Sequence, residues 1–121
     1  HHRYQFRAYY LTSRKRPTFM YLYGDINVEE YFLDALDEDQ NAYLKRTITL
    51  DVDETQQHFY FRAAAGKSVA KTDTSIFQAD RLTVVITSDH EAIIRDGEPQ
   101  ELLVPLQLSP GRTRLTLEYK W

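Results

Sequence analysis

Cysteine is absent from the 121 residues. Its absence removes a disulfide framework, a thiolate nucleophile and a sulfur-bound zinc site together, and leaves the cellular compartment open. Glycine and proline are scarce, at four each, and no internal repeat, low-complexity tract or linker divides the chain. No apolar run approaches the roughly 18 residues that a membrane-spanning helix needs, so no membrane span is expected. Charge of neither sign dominates, with 15 basic and 18 acidic residues giving a net charge of −3. A phosphate backbone would repel such a molecule, and no nucleic-acid partner is expected. The sequence opens on His1-His2 and not on methionine, which reads as the remnant of a purification tag (1–2) ahead of one domain (3–121). A signal peptide removed upstream would fit a secreted or periplasmic protein.

What the sequence does have is aromatic weight. Nine Tyr, six Phe and one Trp make up 13% of the residues, and they crowd between Tyr4 and Phe61. Such rings favour strands and serve both cores and protein interfaces. Most of the chain alternates apolar and polar residues with period two, the mark of a strand with one buried face. Leu115, Leu117, Tyr119 and Trp121 alternate with Arg114, Thr116, Glu118 and Lys120. Leu102, Val104, Leu106 and Leu108 line one side of the preceding segment. Ser109-Pro110-Gly111 between them fits a turn, so the last two strands are expected to pair as a hairpin. Pro105 lacks an amide hydrogen and belongs on an edge or a bulge. Further strands are read at Leu82–Thr87, at Ala92-Ile93-Ile94 before the turn signal Asp96-Gly97, and at Thr47–Val52 and His58–Arg62 as a pair. Tyr4, Phe6, Ala8 and Tyr10 form an earlier stripe, as do Phe19, Tyr21 and Tyr23, with a loop at Ser13-Arg14-Lys15-Arg16-Pro17.

One segment breaks the period. Val28, Tyr31, Phe32, Ala35 and Leu36 recur at i, i+3, i+4, i+7 and i+8, and Asn27 with Glu30 forms a capping box. The spacing predicts a short helix over 28–37. The whole is therefore expected to be an all-β antiparallel sandwich of the fibronectin III/immunoglobulin type with one short helix. A half-open barrel is its competitor.

Several motifs begin and fail. Ala65-Gly66-Lys67-Ser68 ends like a phosphate-binding loop, but Phe61 stands where its first glycine belongs and no helical stripe follows. Asp37, Asp39 and Asn41 copy the opening of a calcium loop. Ala42 then replaces the turn glycine, and Ile48 replaces the bidentate glutamate. Asp34, Asp37 and Asp39 could still gather a surface cation loosely. Glu29, Glu30 and Asp34 could be sought as a glycosidase pair, yet they lie in a run of seven acids between Asp25 and Asp39 that contains no Lys or Arg. Such a run reads as a solvated face that would steer a basic partner. His58 and His90 are the remaining imidazoles, and neither sits in a catalytic motif. No catalytic residue, metal site or cofactor is assigned. The basic Arg14-Lys15-Arg16 beside Tyr9, Tyr10 and Phe19 reads as a charged loop that keeps a hairpin soluble.

Leu108-Ser109-Pro110-Gly111-Arg112-Thr113-Arg114 resembles the L-x-P-G-x-x-Y turn of fibronectin type III domains, with Arg114 where the tyrosine stands. Across most of its length the chain also resembles small secreted bacterial proteins of fibronectin type III-like fold that form swapped dimers and mimic cytokine receptors. The paired W-S motif of the receptors themselves is absent. The resemblance implies binding of host interleukin-type cytokines through loops and strand edges, without catalysis. The residues themselves point to binding of another protein, with Tyr9, Tyr10, Tyr21, Tyr23 and Tyr31 as aromatic anchors and Asp34, Asp37 and Asp39 for steering. Open strand edges would favour a homodimer, with strand swapping as one route to it. An assembly factor or chaperone that lends a sheet edge to a fibre or secretion component is the first alternative, and an OB-like single-strand nucleic-acid binder the second.

Overall fold

The structure is a computed structural model that describes the backbone of residues 4–11 and 17–121 and the side chains of Met20, Leu22 and residues 24–121. The expected tag remnant at His1-His2 and the basic 13–16 segment lie outside the described residues. The strands are β1 (Tyr4–Leu11), β2 (Pro17–Tyr23), β3 (Ile26–Leu36), β4 (Ala42–Val52), β5 (Gln56–Gly66), β6 (Val69–Asp73), β7 (Ile76–Ala79), β8 (Leu82–Ile86), β9 (Ile93–Arg95), β10 (Gln100–Leu108) and β11 (Gly111–Lys120). They form an eight-stranded sheet in the order β1-β2-β3-β4-β11-β8-β7-β6 and a three-stranded sheet in the order β5-β10-β9. Every pairing is antiparallel. The all-β sandwich read from the alternation is what the chain builds.

The alternating apolar residues meet between the sheets. Ile48, Leu50, Leu115, Leu117 and Val84 of the large sheet and Leu102, Val104 and Leu108 of the small sheet are at most 1% exposed. Burying side chains of this size stabilises by roughly 1.5–3 kcal/mol each, so this double row of aliphatics is the main driving force for the fold.

The predicted helix over 28–37 is not formed, and the segment is β3. Ile26, Val28 and Glu30 are buried while Asn27 and Glu29 are exposed, which is period two with a carboxylate in the third inward position. That charged residue hid the alternation from the sequence, and the helical stripe had drawn residues from both faces of a strand. Pairing with β2 on one side and β4 on the other then outweighs the weak local propensity.

Two expected strand pairs are also corrected. β10 pairs with β5 and β9, whereas β11 pairs with β4 and β8, so Ser109-Pro110 carries the chain from one sheet to the other instead of closing a hairpin. β4 and β5, expected to pair, likewise lie in different sheets. Alternation reports that a face is buried; it does not report which strand lies beside it. β6 and β7 escaped notice because each is short and polar, although Phe77 and Ala79 are buried. β9 pairs only with Glu101–Leu103, so Pro105 lies on a stretch of β10 whose second side is open, as its missing amide hydrogen requires.

Bulges mark three of the four edge strands. An extra residue falls in β1 between Phe6 and Ala8 and in β6 between Lys71 and Asp73. β5 has one at Ala63 and another near His58. His58 adopts φ +61° there, the left-handed conformation that such bulges favour. A β-branched side chain is strained in that conformation, whereas glycine and asparagine are not. His58→Val is therefore expected to lower stability by about 1–2 kcal/mol in a urea titration, with His58→Gly and His58→Asn close to the parent; equal stability of all three would remove the bulge as the reason for this residue.

Candidate functional site

Inside the sandwich, three polar side chains of the large sheet converge on the small one. Arg46 of β4 donates from Nε to Glu30 Oε1 of β3 at 2.9 Å, and its Nη2 pairs with the same oxygen. From Nη1 it donates to the Tyr119 hydroxyl of β11 at 3.1 Å. The hydroxyl in turn donates to the Ala63 carbonyl of β5 at 2.8 Å. Ala63 is the extra residue of a bulge, so its backbone stands out of regular ladder register and the tyrosine supplies a partner. The guanidinium carbon lies 4.9 Å from the Phe61 ring centre and 5.5 Å from that of Phe32, with one ring on each sheet. Charge, hydrogen bonds and ring faces together join the two layers at this point.

Burial works to lower the Arg46 pKa, but the attraction of Tyr119 and Glu30 outweighs it and the guanidinium is held above its ordinary value. Burial pushes the Tyr119 hydroxyl up, against the opposing pull of Arg46. Every group in the cluster has a partner inside the protein, so the arrangement can bind sheet to sheet but offers no free acid, base or nucleophile.

The motifs read from the sequence have structural occupations. The Lys67 and Ser68 amides, which a phosphate-binding loop would turn to its anion, donate to Asp80 Oδ2 at 3.2 Å and Oδ1 at 3.0 Å. The resident carboxylate fills the place of the phosphate. A Cβ at Gly66 would come within 2.5 Å of Asp80 Oδ2, so a larger residue there would push the carboxylate off these two amides. The Asp37 carboxylate accepts the Asp39 and Asn41 amides, both at 2.9 Å, and so shapes the turn between β3 and β4. Among the described residues no group of three His, Asp or Glu side chains could hold a metal ion. Ser88 Oγ accepts the Thr116 amide at 3.1 Å and lies 2.7 Å from His90 Nδ1. That contact spans two residues of the β8–β9 connection and ties the connection to β11.

The acidic run does not form one patch. Glu30 points into the sandwich, Glu29 is exposed, and the Gly24-Asp25 turn stands at the opposite end of β3 from Asp37–Asp39, roughly 35 Å away at strand spacing. What gathers instead is the far end of the β3–β4 hairpin, where burial fades beyond Glu30 and before Ile48. There Leu36 is 60% exposed, with Asp34, Glu38 and Asp39 also exposed. β11 runs beside β4 toward the same end, and Trp121, two residues beyond the Tyr119–Leu44 pair, is 75% exposed. Lys120 Nζ sits 5.3 Å from the Tyr43 ring centre.

Of the anchors expected from the sequence, Tyr31 is half-buried on β3, paired with Thr18 and Thr47. Tyr9 and Tyr10 pair with Phe19 and Thr18 across β1 and β2, while Tyr21 and Tyr23 pair with Val28 and Ile26. The side chains of these four tyrosines lie outside the described residues. Asp34 and Asp39 belong to the uncovered end, and Asp37 is used in the turn. Leu36 and Trp121 were not singled out, since strand alternation alone cannot show where the second sheet stops. No family model, curated protein or solved structure matches the chain. Fold and geometry together define it as a two-sheet antiparallel sandwich.

Removing the carboxylate while Arg46 stays is expected to be the costliest change in the cluster, since it leaves a buried charge unpaired. Glu30→Ala should destabilise by about 3–5 kcal/mol and Tyr119→Phe by about 1–2 kcal/mol, read by chemical denaturation. Because the folded Tyr119 binds its proton more tightly than the unfolded one, stability should hold through neutral pH and decline above about pH 10, where the unfolded tyrosine ionises first. Tyr119→Phe should flatten that alkaline decline, and an unchanged profile would contradict the assignment.

Proposed function

We propose that this chain is a non-catalytic protein-binding module that meets its partner at the uncovered end of the large sheet, around Leu36 and Trp121. The observation that carries this reading is the pairing of the two most exposed large apolar side chains among the described residues, 60% and 75% exposed, at one end of the sandwich. Trp is a residue type that dominates binding energy when a partner buries it. The Asp37-centred turn holds its backbone by hydrogen bonds at 2.9–3.1 Å, so little conformational freedom is lost on contact. Asp34, Glu38 and Asp39 around Leu36 favour a partner whose apolar pocket has a basic rim. A secreted or periplasmic setting, and interleukin-type cytokines as first partners to try, follow from the resemblance noted above. Bulges in β1, β5 and β6 weigh against the alternative in which a strand edge is lent to another chain, because a bulged edge makes a poor template.

The test is capture from human extracellular proteins and from a bacterial envelope extract, followed by affinity measurement on each retained partner. Leu36→Lys and Trp121→Ala should fold like the parent and bind at least about tenfold more weakly, a difference of about 1.4 kcal/mol, and the association rate of the parent should fall with salt. Unaltered affinity in both variants would overturn the proposal.

A further inference from the structure

The small sheet also has an outward face. It presents Tyr60 and Arg62 from β5, Leu103 and Pro105 from β10, and Ile93 and Arg95 from β9, with Leu103 paired to Arg62 on one side and Ile93 on the other. Tyr60 is 50% and Ile93 46% exposed, while Leu103 between them is 5% exposed. Glu101 lies on the same face and is shared by both arginines. Arg95 donates to its Oε1 from Nε at 2.9 Å and pairs with it through Nη2, and Arg62 Nε stands 3.4 Å from its Oε2. A single carboxylate cannot neutralise two guanidiniums, so the trio keeps one positive charge. Arg62 and Arg95 remain 54% and 63% exposed in their side chains, and each has N–H donors beyond those used on Glu101. The result is an apolar floor between two positioned arginines.

The uncovered end of the large sheet is its complement in both respects. Leu36 is an exposed apolar side chain bracketed by Asp34, Glu38 and Asp39, and no Lys or Arg occurs from Pro17 to Leu44. We propose that the Leu36 end of one copy docks on the outward face of the small sheet of a second copy. This rests on the reading of that end as a contact surface. Leu36 packs on Tyr60 and Ile93, and Glu38 and Asp39 accept from the spare guanidinium donors. The acids Glu91, Asp96 and Glu98 border β9 in sequence, so Arg62, on the far strand, draws the incoming carboxylates more strongly than Arg95. Because the two patches differ, the contact is head-to-tail. It builds rings or open chains of copies and not a two-fold dimer. It also avoids the bulged strand edges. A hairpin end covers less than a standard interface, so association is weak and reversible and loosens with salt.

Sedimentation velocity of the full chain, from about 1 μM to about 1 mM at low and high salt, reads the outcome. The parent should associate with rising concentration at low salt and at least about tenfold less readily at high salt. Glu38→Lys with Asp39→Lys reverses the end. Arg62→Glu, Glu101→Arg and Arg95→Glu together reverse the face while preserving its internal ion pairs, so the fold is kept and circular dichroism should match the parent. Each variant alone should stay monomeric where the parent associates, and an equimolar mixture of the two should associate again. A parent that is monomeric throughout, a face-reversed chain that associates like the parent, or a mixture that stays monomeric would each overturn the inference. Partner capture separates this from the broader proposal: the face-reversed chain should hold a captured partner as the parent does, whether or not copies associate.

Discussion

A guanidinium held between two sheets is the constraint on which the arrangement of this sandwich turns. Arg46 cannot be buried beside the core unless Glu30 supplies the charge, Tyr119 takes a third hydrogen bond and two rings cover its faces. These five residues come from β3, β4, β5 and β11, so satisfying one cation aligns three strands of the large sheet and sets one strand of the small sheet above them. Aliphatic contacts supply most of the free energy, but they tolerate sliding. The polar cluster does not, because a shift of one residue in any of its strands would leave a charge or a carbonyl unpaired in a poorly solvated place.

The same cluster explains what could and could not be read from the chain. Segments such as Leu115–Tyr119, Leu102–Leu108 and Thr47–Val52 were legible because their inward positions hold only Leu, Val, Ile and Tyr. β3 was not, because Glu30 occupies an inward position, and a sequence gives no sign that an arginine sixteen residues later will neutralise it. Partner choice was illegible for a different reason. Pro110-Gly111 indicates that the chain turns, yet a turn within one sheet and a step between two sheets use the same residue types. Of the contact surface, the acids around Asp34 and Asp39 stood out as a charge run. Leu36 and Trp121 look like ordinary members of alternating stripes until the extent of the second sheet is known.

The unequal size of the two sheets connects fold to binding. Three strands cannot cover eight, and the far ends of β3, β4 and β11 extend past the shared core. Apolar side chains there are left half-wetted, while the turn that joins β3 to β4 is pinned by Asp37. The small sheet, for its part, has an outward face where one glutamate holds two arginines in place. Both surfaces combine exposed apolar area with charge of a definite sign, and neither uses a strand edge. Edge pairing is the usual hazard of open β sheets, and bulges in β1, β5 and β6 limit it here.

The placement of β11 reaches into how the molecule is made. Gly111–Lys120 lies between β4 and β8 and is what joins the β1–β4 meander to the β6–β8 meander within one sheet. A nascent chain emerging from the ribosome therefore has two separate ribbons and an incomplete interior until its residue 120 is free. Until then the facing sides of β4 and β8 have no mate, and the long sequence separation between β4 and β11 makes closure slow. The interval before that insertion is when the polypeptide is most exposed to proteases and to its neighbours.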